Sequence, residues 1–367
     1  MDDEVAARAA LCAVASLSRA QARRLIETLG SARAALGASP GQLGAVLGAR
    51  PRGESLARAL DPDRARRTLA RAVDAGMRVL APDAAEFPAA LREIPDPPLL
   101  LWVRGALPRG PTLAMVGSRR PSARAAACAR AFASELARSG VAIVSGLAYG
   151  IDAASHEGAL AGQGATVAVL ASGLEHVTPP GQRGLAERIL AGGGAWLSER
   201  WPDADAAARH FPERNRLISG LARVTLVVEA REKSGSLWSA RHALEQGRDV
   251  AIVPGPIDTD QCRGSNGLLR DGALPILDAD DLRAAVLGPL ARKPAAAAAE
   301  PAVSPAARAL LAHLAEGACD LDQLCRSLGR SPRELAPVLL ELELDGRISR
   351  EGTRVAVARP SERAERG

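Results

Sequence analysis

Between residues 112 and 282, short apolar β-rich runs alternate with amphipathic stretches of helical period. The runs fall at 113–116, 142–145, 166–170, 195–198, 224–228, 250–253 and 275–277. Parallel strands must be joined across a sheet face, so strands separated by helix-length stretches predict a parallel sheet wound by crossovers. The expected class is α/β and doubly wound, with its ligand beyond the carboxyl ends of the strands. Upstream, residues 4–60 read as short helices broken at Gly30, Pro40 and Pro51, with Leu25, Leu29 and Leu36 at helical spacing. A further helix over about 63–76 leads into two short β segments, 78–80 and 99–104, which flank a small helix. Downstream, the Pro/Ala-rich stretch 289–305 has no apolar face and reads as a linker. Three amphipathic helices and two β segments turning at Glu351 and Gly352 follow, the order of a winged helix-turn-helix. The third of these helices, 332–344, has Glu334, Glu341, Glu343 and the adjoining Asp345 against Arg333, a poor surface for a duplex and a better one for a protein partner.

The predicted organisation is a helical module at 1–76, the doubly wound domain at 77–288, the linker at 289–305 and a winged-helix domain at 306–360. A chain of 367 residues exceeds one ordinary core, in keeping with several domains. The longest apolar runs, 165–171 and 224–228, fall far short of the roughly 20 residues of a membrane helix, and the chain opens on Asp2, Asp3 and Glu4. No membrane association and a cytoplasmic location are expected. Five scattered cysteines without a C-x-x-C pair indicate neither a disulfide framework nor a zinc ribbon. His313, Cys319 and Cys325 read as a surface histidine and two small core positions, and no metal or cofactor is expected. A net charge of +5 mildly favours an anionic partner. The 2% aromatic content changes that picture more, because few rings are available for stacking bases. Any nucleic acid would be held mainly by its phosphates.

The strand-end loops carry the candidate chemistry. Gly117-Ser118-Arg119 precedes a helix capped by Ser122, an arrangement of free amides, hydroxyls and a guanidinium suited to phosphate oxygens, and equally an ordinary glycine turn. The run from Ser145 to Asp152 has glycines four apart at Gly146 and Gly150 but no G-x-G-x-x-G and no G-K-[ST], which disfavours P-loop hydrolysis. Asp152 and His156 share a helical face, either as an acid/base or metal pair or, more often, as a helix cap and its neighbour. Arg214, Asn215 and Arg216 are expected directly before a helix with Leu217, Ile218 and Leu221 buried, a strong anion-binding set. Lys233, Ser234, Gly235 and Ser236 precede the next helix as a small phosphate nest, with Glu229 and Glu245 the nearest carboxylates. Several such loops along one sheet edge exceed the needs of a mononucleotide and suit a polyphosphate backbone.

Six ordered motifs, Gly117-Ser118-Arg119, Ser145-Gly146-Leu147-Ala148-x-Gly150-Ile151-Asp152, Ala168-Val169-Leu170-x-x-Gly173-Leu174, Phe211-Pro212-x-Arg214-Asn215-Arg216, Ser234-Gly235-Ser236 and Val253-Pro254-Gly255, resemble the DNA-processing protein A (DprA/Smf) family. The resemblance implies an extended Rossmann-like domain, an N-terminal SAM/helix-hairpin-helix-like module and a winged-helix tail. It also implies a non-enzymatic, homodimeric protein that binds incoming single-stranded DNA in natural transformation, protects it and helps load the RecA recombinase. Arg119 would be a principal phosphate contact, with Gly117, Ser118, Arg214, Asn215 and Lys233 to Ser236 lining the pocket. The chain departs from the family's Tyr-Pro-x-x-Asn at Thr178-Pro179-Pro180-Gly181-Gln182, and from its Ser-Leu-Ile-Thr at Ser236-Leu237-Trp238-Ser239. Two alternatives stand beside this reading. One is a nucleotide-binding hydrolase of the lysine-decarboxylase-like group, with Glu245 downstream of the fourth loop; the other is an interaction module whose basic loops meet an acidic partner.

Overall fold

The computed structural model describes residues 3–288, 304–314, 317, 319–344 and 347–357. Packing divides the chain into two compact units, Met1–Arg292 and Lys293–Gly367. Most of the expected linker, 289–303, lies outside the described residues.

The first unit opens with α1 (Asp3–Cys12), α2 (Arg19–Leu29), α3 (Ala32–Gly37), α4 (Pro40–Leu47), α5 (Arg50–Ala59) and α6 (Pro62–Asp74). Ser18 and Ser39 start α2 and α4 with reciprocal capping boxes to Gln21 and Gln42, satisfying amides a helix leaves unpaired. Leu11, Leu25, Leu43 and Leu56 fill the centre of this module. Ala6, Ala65 and Leu69 instead pack into one cluster with Trp102, Leu170 and Trp196 of the sheet. The change from helices to strands after residue 76 is therefore not a break in packing.

The sheet is built from β1 (Met77–Leu80), β2 (Leu101–Gly105), β3 (Thr112–Val116), β4 (Ala142–Ser145), β5 (Thr166–Val169), β6 (Ala195–Ser198), β7 (Val224–Val227), β8 (Asp249–Ile252) and β9 (Leu274–Pro275). Each strand expected between 112 and 282 is present within one or two residues of its anticipated ends. The spatial order is β1-β2-β6-β5-β4-β3-β7-β8-β9, parallel from β6 to β9 and antiparallel where β2 joins β6 and β1 joins β2. Helices α7 (Ala89–Arg92), α8 (Ala123–Arg138), α9 (Ile151–Ala161), α10 (Arg183–Ala191), α11 (His210–Gly220), α12 (Leu237–Glu245), α13 (Asp260–Gly267) and α14 (Ala279–Leu287) accompany it. Strands β4 to β7 are buried at every position, as a sheet covered on both faces demands. From β3 the chain steps outward through β4, β5 and β6, then returns to place β7 on the other side of β3. The gap between β3 and β7 is the switch point at which doubly wound sheets bind ligands.

Small residues bring the covering helices close. Helix α8 buries Ala125, Ala129, Ala133 and Ala137. It meets α9 where a Cβ on Gly158 would stand 2.3 Å from the Arg130 carbonyl oxygen. Much of the alanine and glycine in this chain is thus a packing choice.

The second unit holds α15 (Pro305–Leu314), β10 (Cys319–Asp320), α16 (Leu321–Leu328), α17 (Pro332–Leu344), β11 (Ile348–Glu351) and β12 (Arg354–Val357), with a sheet ordered β10-β12-β11. Leu310, Leu324, Leu335 and Leu339 form its core, against which Cys319 and Cys325 pack half-buried. Among the described residues, no helix is long and apolar enough to cross a membrane.

A charge hub fastens the helical module to the sheet domain. Asp96 accepts from Arg19 Nε and Arg23 Nη2, both at 2.8 Å, and lies 3.3 Å from Arg216 Nε. Arg216 Nη2 donates to both oxygens of Glu199 at 2.6 Å, while Glu213 pairs with Arg19 and Arg200. Burial pushes the Asp96 carboxyl up, but Arg216 and Arg19 outweigh it and hold it below the usual range. With its side chain 6% exposed, Arg216 without Glu199 would be a buried cation left with Asp96 alone, which it shares with Arg19 and Arg23. Glu199→Ala should therefore destabilise the protein by about 3 kcal/mol in urea unfolding, whereas the double change Glu199→Leu with Arg216→Met should cost far less.

Candidate nucleic-acid interface

Three of the strand-end loops and α11 converge on one cleft of ≈ 760 Å³ at the switch point. The loop after β3 forms one wall. Its shape is set by Ser118, whose amide donates to the Glu229 carbonyl at 2.7 Å, and by Ser122, whose amide and hydroxyl donate to the Glu229 carboxylate at 3.1 and 2.7 Å. The loop after β4 presses against it from behind: the Ile151 amide donates to the Ser118 carbonyl at 3.1 Å. Gly150, at φ +82°, leaves room for that approach, since a Cβ there would sit 2.3 Å from the same oxygen.

Arg214 forms the floor. Its guanidinium donates to the carbonyls of Gly146 and Val169 at the ends of β4 and β5, and it is almost wholly buried. A side chain on Gly146 would collide with it, because a Cβ there would lie 2.3 Å from Arg214 Nη1. Burial lowers the Arg214 pKa to about 10, with Asp152 opposing and Arg119 adding to the shift, so the group stays cationic at neutral pH. Asp152 is fixed in turn by accepting from the amides of Gly146 and Ala148 at 3.2 and 3.3 Å, and burial raises its pKa. The guanidinium carbons of Arg119 and Arg214 stand 5.3 and 6.0 Å from the centre of the Phe211 ring.

The loop after β7 forms the opposite wall. Asn215 Nδ2 donates to the Gly235 carbonyl at 3.1 Å, which ties this loop to α11, and the Ser234 and Ser236 hydroxyls lie 2.7 Å apart at the start of α12. Arg119, Arg120, Arg231 and Lys233 reach the cleft as exposed cations, and among the described residues none has a carboxylate partner. Among the described residues, the one carboxylate lining the cleft is buried Asp152. The surface offered to a ligand is cationic, with hydroxyls and an amide between the charges.

Gly117, Ser118, Arg119, Arg214, Asn215, Lys233, Ser234, Gly235 and Ser236 all line this cleft. Two expected site residues do not. Ser122 caps α8 and gives its hydroxyl to Glu229, which leaves it outside the lining. Arg216 faces away, in the hub with Glu199 and Asp96. The expectation that residues 214–216 precede a helix is also corrected, because they lie inside α11, which begins at His210. Pro212 is compatible with a first helical turn, where its missing N–H would find no partner. Phe211, Arg120, Arg231 and Trp238 line the cleft in addition to the expected residues. For Phe211 the Phe-Pro pair at a helix start was the available signal.

Asp152 and His156 do not act as a pair. The Thr166 hydroxyl donates to the Ile143 carbonyl at 2.7 Å, so it accepts Nδ1–H from His156 at 2.7 Å, away from Asp152. Burial, helped by Arg214, drops the His156 pKa to about 3.

The family model described as DNA recombination-mediator protein A matches residues 78–286, and that of the DprA winged helix domain matches residues 293–352. The chain is 38% identical over 219 residues to the DNA processing protein DprA of Bacillus subtilis, covering 59% of this chain and 73% of that one. The X-ray structure of DNA processing protein A from Streptococcus pneumoniae superposes with a TM-score of 0.67 and 28% identity, over 78% of this chain and 98% of that one. A structure of DNA processing protein A from Helicobacter pylori, described for its single-stranded DNA binding mode, matches with a TM-score of 0.50 and 29% identity, over 56% of this chain and 93% of that one.

The environment of His156 makes stability depend on pH. Unfolded, the imidazole takes a proton below its ordinary 6.5; folded, it resists until about 3. The unfolded state therefore binds more protons in that window, and stability should fall as pH drops from 6.5 toward 3. Asp152, raised by burial, works in the opposite sense, which the comparison with His156→Gln separates from the imidazole. Thermal melts between pH 7 and 5 should show the decline in the native protein and a flatter profile in His156→Gln.

Proposed function

Because the chain belongs to the DNA recombination-mediator protein A (DprA/Smf) family, we propose that it binds single-stranded DNA across the switch-point cleft, protects incoming strands and helps load the RecA recombinase in natural transformation. The observation that carries the binding is the set of unpaired cations Arg119, Arg120, Arg231 and Lys233 around a cleft with no exposed carboxylate. In the hub, by contrast, Arg19, Arg23 and Arg216 are consumed by carboxylates. Exposed guanidiniums without partners bind phosphate without first breaking an ion pair. The recombinase role is supported by the family's description as a recombination mediator.

The protein is proposed to act by binding and not by turnover. The carboxylates a hydrolase would need are otherwise engaged: Glu229 holds Ser122, Asp152 holds backbone amides beside Arg214, and Glu245 meets His242 outside the cleft. Self-association through the sheet domain is proposed at the β9 edge, where Ile257 and Leu277 are 91% and 76% exposed and Leu269 and Leu274 lie partly open. A second copy would remove these side chains from water. The winged-helix unit is proposed to meet a protein, in keeping with Glu334 and Glu341 on the surface of α17.

In an anisotropy titration, single strands of any sequence should bind better than duplex, with affinity falling steeply as salt rises. Arg119→Ala should weaken every sequence by about tenfold and lower the slope of log affinity against log salt by about one. Unchanged affinity and slope would count against the cleft as the binding site. In sedimentation equilibrium the native protein should behave as a dimer, and Ile257→Glu combined with Leu277→Glu should yield monomers.

A further inference from the structure

Beside the cationic cleft lies a second, smaller recess of ≈ 270 Å³ of different chemistry. Its cations are spoken for, since Arg19 and Arg216 pair with Asp96, Glu199 and Glu213. Glu245 adds a carboxylate whose side chain is 67% exposed. Such a surface repels phosphate but accepts hydrogen bonds from amines. Trp238 lines both hollows and stands on the rim between them. It is also exposed in a way its counterparts are not: Trp238 is 46% open, against 2% for Trp102 and 3% for Trp196. Trp201 packs edge-on against Trp102 with ring centres 5.6 Å apart, and Trp196 Nε1 donates to the Ala186 carbonyl at 2.7 Å. The Arg241 guanidinium carbon stands 5.0 Å from the centre of the Trp238 ring, and His242 flanks it at 6.4 Å.

We propose that Trp238 is a stacking platform for a nucleobase of the strand whose phosphates lie in the cleft, with the recess taking the base. The inference rests on the proposed DNA binding and deepens it. Cations without partners draw the sugar–phosphate backbone to the cleft, and the carboxylates next door exclude it there. A strand crossing the rim must then turn a base toward the recess, and the indole is the flat apolar surface it meets. Arg241 extends the stack as a guanidinium plane on an aromatic. A base offers the recess N–H donors, N3–H in thymine, that suit the Glu245 carboxylate, which a phosphate does not.

The test compares oligothymidylate with an abasic oligomer of equal phosphate number, followed by intrinsic tryptophan emission and by anisotropy. Native protein should bind oligothymidylate about tenfold more tightly than the abasic strand, the size of one base–aromatic stack, with quenching of emission. Trp238→Ile should lose that preference and the quenching, whereas Arg119→Ala should lose affinity for both strands and keep the preference. The isoleucine variant is exposed at a surface position, and an unchanged melting temperature confirms that it folds. Equal binding of the two strands by native protein, or a preference retained in Trp238→Ile, overturns the platform while leaving the cleft reading intact. Failure of native protein to bind either strand in a salt-dependent way overturns the cleft reading and the platform with it.

Discussion

The site depends on one buried cation. Arg214 enters from α11, passes over Gly146 and donates to the carbonyls that close β4 and β5. These carbonyls lie at the ends of parallel strands, where the ladder stops and oxygen lone pairs need partners. The guanidinium supplies those partners and brings a helix from the other side of the switch point against the loop after β4. Phe211, one turn earlier, then lies beside Arg119, and Asn215, next along, reaches Gly235. One side chain thereby sets three loops at fixed separation. Asp152 makes the arrangement tolerable, because it offsets the cost of burying the charge without forming a direct ion pair that would neutralise it locally.

A second principle sorts the arginines. Arg214 and Arg216 are two residues apart on one helix, and the helical period points them to different places. Arg216 and its carboxylate neighbours join α2, the segment around Asp96 and the residues after β6. Arg214 meets mainly backbone oxygen. The same residue type thus fastens the helical module on one face of α11 and forms the floor of the cleft on the next. The deciding feature is which face meets Glu199, and not the local density of basic residues.

Much of the sheet was legible in the sequence because buried parallel strands are short, apolar and bounded by glycine or polar turns. The strands 142–145 and 195–198 are found at their expected limits. The loops after β3, β4 and β7 also converge, since a doubly wound sheet gathers the carboxyl ends of its strands along one edge, while the motifs at 168–174 and 253–255 lie outside the cleft lining. What could not be read was orientation. Arg216 carries the same side chain as Arg214 and sits in the same motif, and only the tertiary positions of Glu199 and Asp96 distinguish them. Ser122 is a sound helix cap by local rules, but its hydroxyl is taken by Glu229, 107 residues away. In the sequence Trp238 is only a departure from the family's Ser-Leu-Ile-Thr, and its place between two hollows is set by the tertiary fold. Alanine faces such as that of α8 were similarly opaque, because small side chains give weak periodicity while permitting the closest approach.

The cleft concentrates positive charge that its own fold does not cancel. Burial lowers the proton affinity of Arg214, Asp152 opposes that shift, and the like charge of Arg119 adds to it. Folding accepts that repulsion because Phe211 presents ring electrons to both guanidiniums and strand-end carbonyls hold the deeper one. Asp152 opposes it at Arg214, while Arg119, Arg231 and Lys233 have no carboxylate partner among the described residues. An anion beside these cations forms its hydrogen bonds without first breaking an ion pair. A polyanion offers further charges to Arg231 and Lys233, which line the same cleft. The distribution of uncompensated charge, more than its total, is why a chain of modest net charge is suited to a polyanion.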